Sequence, residues 1–425
     1  MKKTAVHLKI AILSIAAIGS MNVFVAPALA VIAQAFPAAS PTAIQMIMTA
    51  AMVGQFPMTF IAGFAATRIR IKKILVFGIM CIMVGGFLPL ALHGDLIYLY
   101  ICAGLMGVGQ GTCLTMMTTL INTRFTGEER SKVLGWQNSV IMFSLMIMMA
   151  VAGGLASIHW TNVYYITLLA VPVLILVTLW LPMGDSPKAL AARQPQSDEP
   201  PKAKGVVPPP IIVLAIFASL FAIGFATIVI NTAMLIDARE IGGGAPWVAG
   251  LMSSFSYLVS IVAGLIYRYV LRAAKHLILF CGAVSMAVGL FVVYNAYVVP
   301  VYAIGEIFIY MGFTMGFLGG IESIGRIVKP EWVSSCMGIY LGFDALGSML
   351  APYVINRLAG TVMGSVTPGN ALLVGSMWIA CTSALALCWG IWNRGSFADL
   401  CRQKAADPAA APEDAAPDDK ADSAS

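Results

Sequence analysis

The feature that most constrains this chain is a series of twelve apolar windows, each long enough to cross a bilayer. They fall at 10–35, 43–66, 74–92, 96–121, 133–157, 163–181, 211–236, 247–271, 277–299, 301–324, 332–356 and 371–392. A spanning helix needs about 20 predominantly apolar residues. Hydrophobic residues make up 60% of the 425 and charged residues only 10%, against about 25% charged in soluble domains. Mean hydropathy is +0.89. These values exclude a soluble enzyme and predict an all-α membrane protein of twelve transmembrane helices. Met1-Lys2-Lys3 followed by an apolar run and Ala28-Leu29-Ala30 imitates a secretory signal. The run is too long for one and is read as the first span.

The composition changes sharply at 183–210, which is rich in Pro, Ala, Lys and Asp. It reads as a cytoplasmic linker between two six-helix bundles, 1–182 and 211–394. Residues 395–425 form an Ala/Asp/Pro tail of disordered character. Of the 25 Lys and Arg residues, all but Arg239 and Arg357 fall on one side of the windows. The positive-inside rule then places both termini and the linker in the cytoplasm, with the chain in the cytoplasmic (inner) membrane. Displaced by 203 positions, Gly109 falls on Gly312, Glu128 on Glu331 and Gly135 on Gly338, suggesting an internal repeat and two pseudo-symmetric bundles. The eight cysteines form no CxxC or Cys/His cluster, so no metal and no cofactor is expected. The basic residues form loop clusters and no nucleic-acid stripe. The chain is expected to act as a monomer with the lipid bilayer, protons and a small-molecule organic solute as its partners.

Three acids lie within the windows: Glu306, Glu322 and Asp344. Asp344 stands near the middle of the eleventh, with Tyr340 one turn before it and Ser348 one turn after. A carboxylate there costs at least ~2.5–3.5 kcal/mol on insertion scales. The three are expected to form a polar stripe facing a water-accessible cavity, with Asp344 in proton coupling or substrate binding. A structural acid bonded to Tyr340 is the alternative. Glu306 and Glu322, sixteen residues apart, should point to nearly opposite faces at 100° per residue. Glu306 sits one turn inside the outer end, either reaching the outer interface or accepting a proton or cation there. Glu322 is expected to pair with Arg326 or Arg268, as a clamp or gate on the cytoplasmic side.

The first six windows offer uncharged polar groups. Asn22 precedes a kink expected at Pro27. Thr115, Thr118 and Asn122 share one face of the fourth window with Gly111, and Gln137 lies in the fifth. Asn231 adds an amide in the seventh. As a set they are candidates to line a cavity, and each alone is more simply an interhelical hydrogen bond.

The loop from Gly63 to Leu75 resembles a motif of the major facilitator superfamily, G-x-L-A-D-R-x-G-R-K-x-x-L. Gly63, Ala66, Arg68, Lys72 and Leu75 match it, while Thr67, Arg70 and Ile71 depart. Glu129-Arg130-Ser131-Lys132 leading to Gly135, and Gly153-Gly154 with Trp160, also look like that family. The family's R-x-x-x-G-x-G-x-G aligns with Ala103, Gly107, Gly109 and Gly111, so its arginine is absent. Leu145, Met149 and Ala150 replace the Gly, Gly and Pro that mark antiporters. The resemblance implies alternating access, with segments 1, 4, 7 and 10 lining a central site and 2, 5, 8 and 11 flanking it. It also makes Arg68, Arg130, Arg268, Glu322 and Arg326 candidates for a cytoplasmic gate.

The expected function is therefore a proton-coupled secondary transporter, with export favoured. Its rivals are an importer or facilitator of a metabolite such as a carboxylate, and a sensor or assembly protein on a transporter scaffold. No P-loop appears, and the histidines at 7, 93, 159 and 276 sit near or outside the span ends, so an enzyme is not expected.

Overall fold

A computed structural model describes residues 2–66, 68–125, 127–181, 209–327 and 330–392. The expected linker and tail, 183–210 and 395–425, lie outside these apart from residues 209 and 210. Among the described residues every regular element is helical. There are twelve units. α1 runs Lys2–Ile18, tightens into a 3-10 stretch at Met21–Ala28 and resumes at Leu29–Ala35. Pro27 lies in that stretch, where its missing N–H and fixed φ break the regular ladder, as the sequence predicts. α2 is Pro41–Ala65, α3 Ile71–Ala91, α4 Leu96–Arg124 and α5 Gly127–Ile158. α6 begins as a 3-10 stretch, Trp160–Leu169, and continues as Ala170–Trp180. α7 is Pro209–Ala238, α8 Pro246–Ala274, α9 Ile278–Tyr294, α10 Val299–Ile327, α11 Pro330–Met363 and α12 Pro368–Trp392.

Counted over the described residues alone, eleven of these are long and apolar enough to span a membrane. The twelfth, α11, is 34 residues long and carries Asp344, Tyr340 and Asn356. Local chemistry sets the ends. The Ser40 hydroxyl accepts the Ala43 N–H at 3.2 Å with Pro41 in the first turn of α2, and Asp95 caps α4 through the Ile97 N–H at 3.3 Å. Between α7 and α8, Glu240, Gly242, Gly243 and Gly244 all take positive φ, which makes a tight reversal. Arg239 holds that corner by donating to the carbonyls of Tyr294 and of Ala296, the latter at 2.9 Å.

The packing pattern repeats. In the first six helices α1 packs on α5, α2 on α4, and α3 on α4 and α6. In the last six α7 packs on α11, α8 on α10, and α9 on α10 and α12. Between the two sets the main contacts are α5 with α8 and α2 with α11. The end at which α1 begins, α6 ends and α7 begins is the near end below; the opposite end is the far end.

Candidate functional site

The α5–α8 seam changes character along its length. At the far end it is closed. Gly153 of α5 and Gly250 of α8 approach so nearly that a Cβ on either would lie 2.7 Å from the Cα of the other. The Ser157 hydroxyl accepts the Trp247 N–H at 3.1 Å, and Ser254 donates to the Met146 carbonyl at 2.6 Å. Toward the near end the same two helices part around a cavity of about 660 Å³. Its lining comes from α5 (Asn138, Ser139, Phe143), α8 (Ser260, Gly264) and α10 (Phe313, Thr314, Phe317), with other residues of the same helices.

A second set of polar contacts ties the halves together at the far end. Gln45 of α2 is 2% exposed. Its amide nitrogen donates to Asn231 Oδ1 of α7 at 2.9 Å, and its oxygen accepts from Asn356 Nδ2 of α11 at 2.7 Å. Asn356 also donates to the Thr42 hydroxyl at 3.0 Å, and Asn231 to the Thr227 carbonyl at 2.8 Å. Above this clamp, Gln34 of α1 donates to Asp237 of α7 at 3.0 Å. Sequence reasoning named Asn231 but missed Gln45, Asn356, Thr42 and Gln34. Polar groups spaced along three different helices were the available signal, and nothing in one sequence says that they meet.

Asp344 is half-buried, and among the described residues it has no hydrogen-bond or ion-pair partner. Its direction follows from the helix. Gly347 packs on the Ser219 backbone of α7, and Asn356 faces α2. Tyr353, 65% exposed, marks the outward face. Asp344 lies nine residues earlier, about 180° away at 100° per residue, and Ser348 follows one turn later on its side. Tyr340 leaves the expected stripe. It is fully buried, its ring lies over Gly320 of α10, and its hydroxyl donates to the Phe317 carbonyl at 3.3 Å. The missing side chain at Gly320 makes the slot that takes the ring. Asp344 is not among the residues lining the 660 Å³ cavity; Phe317, the contact of Tyr340, is.

Other expectations need correcting. Glu306 does not reach the outer interface: it is 1% exposed and accepts from Ser256 of α8 at 2.8 Å. Glu322 accepts from Tyr267, also of α8, at 2.9 Å; its expected partners Arg326 and Arg268 have side chains outside the described residues. Both acids thus engage the same neighbour, despite the rotation that separates their Cα directions, because a two-methylene carboxylate and a long phenol reach around a helix face. Thr115 donates to the Gly111 carbonyl at 2.9 Å and lies 3.2 Å from the Thr59 carbonyl of α2, while Thr118 donates to Leu114 at 2.9 Å. The Thr115 face of α4 therefore packs on α2 instead of opening to a cavity. Asn22 is buried against Gln110 of α4, whose amide donates to Asn22 Oδ1 at 2.8 Å and accepts the Asn22 N–H. Asn22 Nδ2 and Gln137 Oε1 are buried with no partner among the described residues. Arg68 is exposed over the Phe64 ring at 5.1 Å. The side chains of Asn122, Arg130, Arg268 and Arg326 lie outside the described residues.

Twelve helices in two similarly packed sets, closed at one end and parted at the other, define the architecture of a secondary transporter. The model of the Major Facilitator Superfamily matches residues 10–352, and the chain belongs to that superfamily. No curated protein matches the sequence. Among solved structures, the nucleoside transporter NupG is similar with a TM-score of 0.68 at 14% identity, over 91% of this chain and 98% of that one. An auto-inhibited POT family peptide transporter gives 0.69 at 12%, over 93% and 97%. The xylose transporter XylE from E. coli, in a partially occluded inward-open conformation, gives 0.66 at 13%, over 89% and 97%. These likenesses establish the fold; the superfamily match makes the chain a multi-pass membrane transporter.

Proposed function

We propose that this protein moves a small organic solute across the cytoplasmic membrane by alternating access, driven by protons through Asp344, with export favoured. Residues 1–182 and 211–394 act as the two rocking bodies. The near end, which carries the basic loops, is cytoplasmic, so the conformation described is open to the cytoplasm. The observation that carries this reading is the α5–α8 seam: one helix pair, closed at the far end by Gly153 and Gly250 and parted around 660 Å³ at the other.

Asp344 supplies the coupling. An ionised carboxyl without a partner is costly to bury and a protonated one far less so. Without solute, rocking the halves together over Asp344 is therefore easier once it holds a proton; a bound solute takes the proton's place in the other half of the cycle. In the cytoplasm-open state it releases that proton and the solute enters. In the opposite state the solute leaves and a proton returns. Export is favoured because a largely apolar cavity suits solutes that cross bilayers unaided, for which pumping outward is the useful direction.

Proton-driven import is the second reading, because a D-xylose-proton symporter is among the structural neighbours, at 15% identity and a TM-score of 0.66. Flux in proteoliposomes across a compound panel, with the pH gradient set in either sense, separates them. Export predicts accumulation when the proton gradient runs opposite to the solute, and import when it runs with it. Flux indifferent to the gradient removes proton coupling.

A further inference from the structure

We propose that the 660 Å³ cavity binds an uncharged aromatic amphiphile, stacked on Phe313 and Phe317 and hydrogen-bonded along one edge. The proposal rests on the transporter reading and adds the chemistry of the solute.

Phe313 and Phe317 in the cavity wall are the end of a run of nearly parallel rings that continues behind it into α7. Phe217 and Phe221 of α7 lie at 19° to each other, and Phe221 at 7° to Phe313 of α10. Phe225 of α7 stacks on Phe313 with centroids 3.6 Å apart at 12°, and Phe317 continues the run 5.6 Å from Phe313 at 19°. Phe313 and Phe317 are both half-buried and both line the cavity. A planar ring that enters the cavity extends a stack already held in place, so little side-chain order is lost on binding.

The polar edge is uncharged. Among the described residues no Lys, Arg, His, Asp or Glu lines the cavity. Ser260 and Thr314 are hydrogen-bonded at 2.9 Å, and Thr314 also donates to the Tyr310 carbonyl at 2.8 Å. A hydroxyl has one proton, so Ser260 must donate to Thr314, which leaves Ser260 Oγ as an acceptor for a ligand O–H or N–H. Across the cavity the Asn138 amide has no partner among the described residues and offers both a donor and an acceptor. A fixed charge here would lose water and find no counter-charge. The volume lies within the roughly 300–1,000 Å³ of small-molecule sites. The flanks of the mouth, Phe143 at 54% and Leu265 at 74% exposed, are apolar.

The test uses the full chain in lipid nanodiscs and three radiolabelled probes. Chloramphenicol is an uncharged nitroaromatic with hydroxyl and amide groups, tetraphenylphosphonium an aromatic of fixed positive charge, and xylose uncharged without a ring π-system. The expected result is saturable chloramphenicol binding that neither of the others displaces. Phe317→Leu keeps apolar bulk but removes the ring and should raise Kd roughly two- to tenfold, the worth of one aromatic pair; Phe317→Tyr should restore it. Gly264→Leu adds a side chain where nothing lies within 4 Å of a Cβ, so it should leave the melting temperature unchanged and block binding. Three results overturn the proposal: no saturable chloramphenicol binding, tighter binding of either other probe, or binding indifferent to both Phe317→Leu and Gly264→Leu. Gradient-driven flux of xylose or tetraphenylphosphonium would then leave the transporter reading standing. Absence of gradient-driven flux for all three would count against that reading as well.

Discussion

Asp344 is the residue on which coupling turns. Its side chain is half-buried on the side of α11 opposite Tyr353 and makes no hydrogen bond or ion pair among the described residues. Asn has the same shape as a protonated Asp but never ionises, so Asp344→Asn should hold the carrier permanently in its loaded form. The expected outcome is loss of pH-gradient-driven accumulation, with solute exchange down its own gradient retained and expression unchanged. Counterflow assays in proteoliposomes measure both, and full accumulation in the variant would contradict the role. Glu306 differs in kind: it is sealed from solvent and bonded to Ser256, so its first contribution is to hold α10 against α8. The sequence marks these acids as exceptional because charge is rare in the spans. It cannot mark their partners, since a serine or tyrosine on a neighbouring helix carries no such signal.

At the scale of elements, the far-end closure has two parts that should fail separately. Gln45 bridges α2 to α7 and α11 with the nitrogen and the oxygen of its side-chain amide. Gln45→Leu leaves the Asn231 oxygen without its cross-half donor and costs the Asn356 amide one of its acceptors, and a buried unsatisfied group costs about 1–3 kcal/mol. The seam at Gly153 and Gly250 fails sterically: Gly153→Val puts a branched side chain against the α8 backbone. Both variants should populate the far-open state, read as faster maleimide labelling of a cysteine placed at Met234, which is 7% exposed beside Gln45. Unchanged labelling in both would mean that these contacts do not hold the far end shut. The helices themselves were largely legible in the sequence, since spanning length and apolarity leave few alternatives and Pro27 breaks α1 where expected. Which face meets which was not. In a bilayer the lipid is as apolar as the core, so lipid-facing and packed residues look alike in sequence. Thr115 was thus expected toward a cavity and is found against α2, and Tyr340 was expected to face a cavity with Asp344 and is found buried in the slot over Gly320.

For the whole molecule, the account requires the two six-helix sets to move reciprocally, one end closing as the other opens. The far end is held by uncharged amide and hydroxyl contacts apart from Asp237, and by close backbone packing. Such a closure differs from an ion-pair latch in being little affected by ionic strength, so pH should act on the cycle through Asp344. Two spin-label pairs report the motion: Ser40 with Tyr297 across the far end, and Arg70 with Arg272 across the near end, all four exposed. The most direct measurement is double electron–electron resonance on both pairs in nanodiscs over a pH series, in the wild type and in Asp344→Asn. The account predicts that one distance lengthens as the other shortens in the wild type, and that Asp344→Asn removes the pH dependence of both. Distances that stay fixed across pH in the wild type, or that lengthen and shorten together, would contradict it.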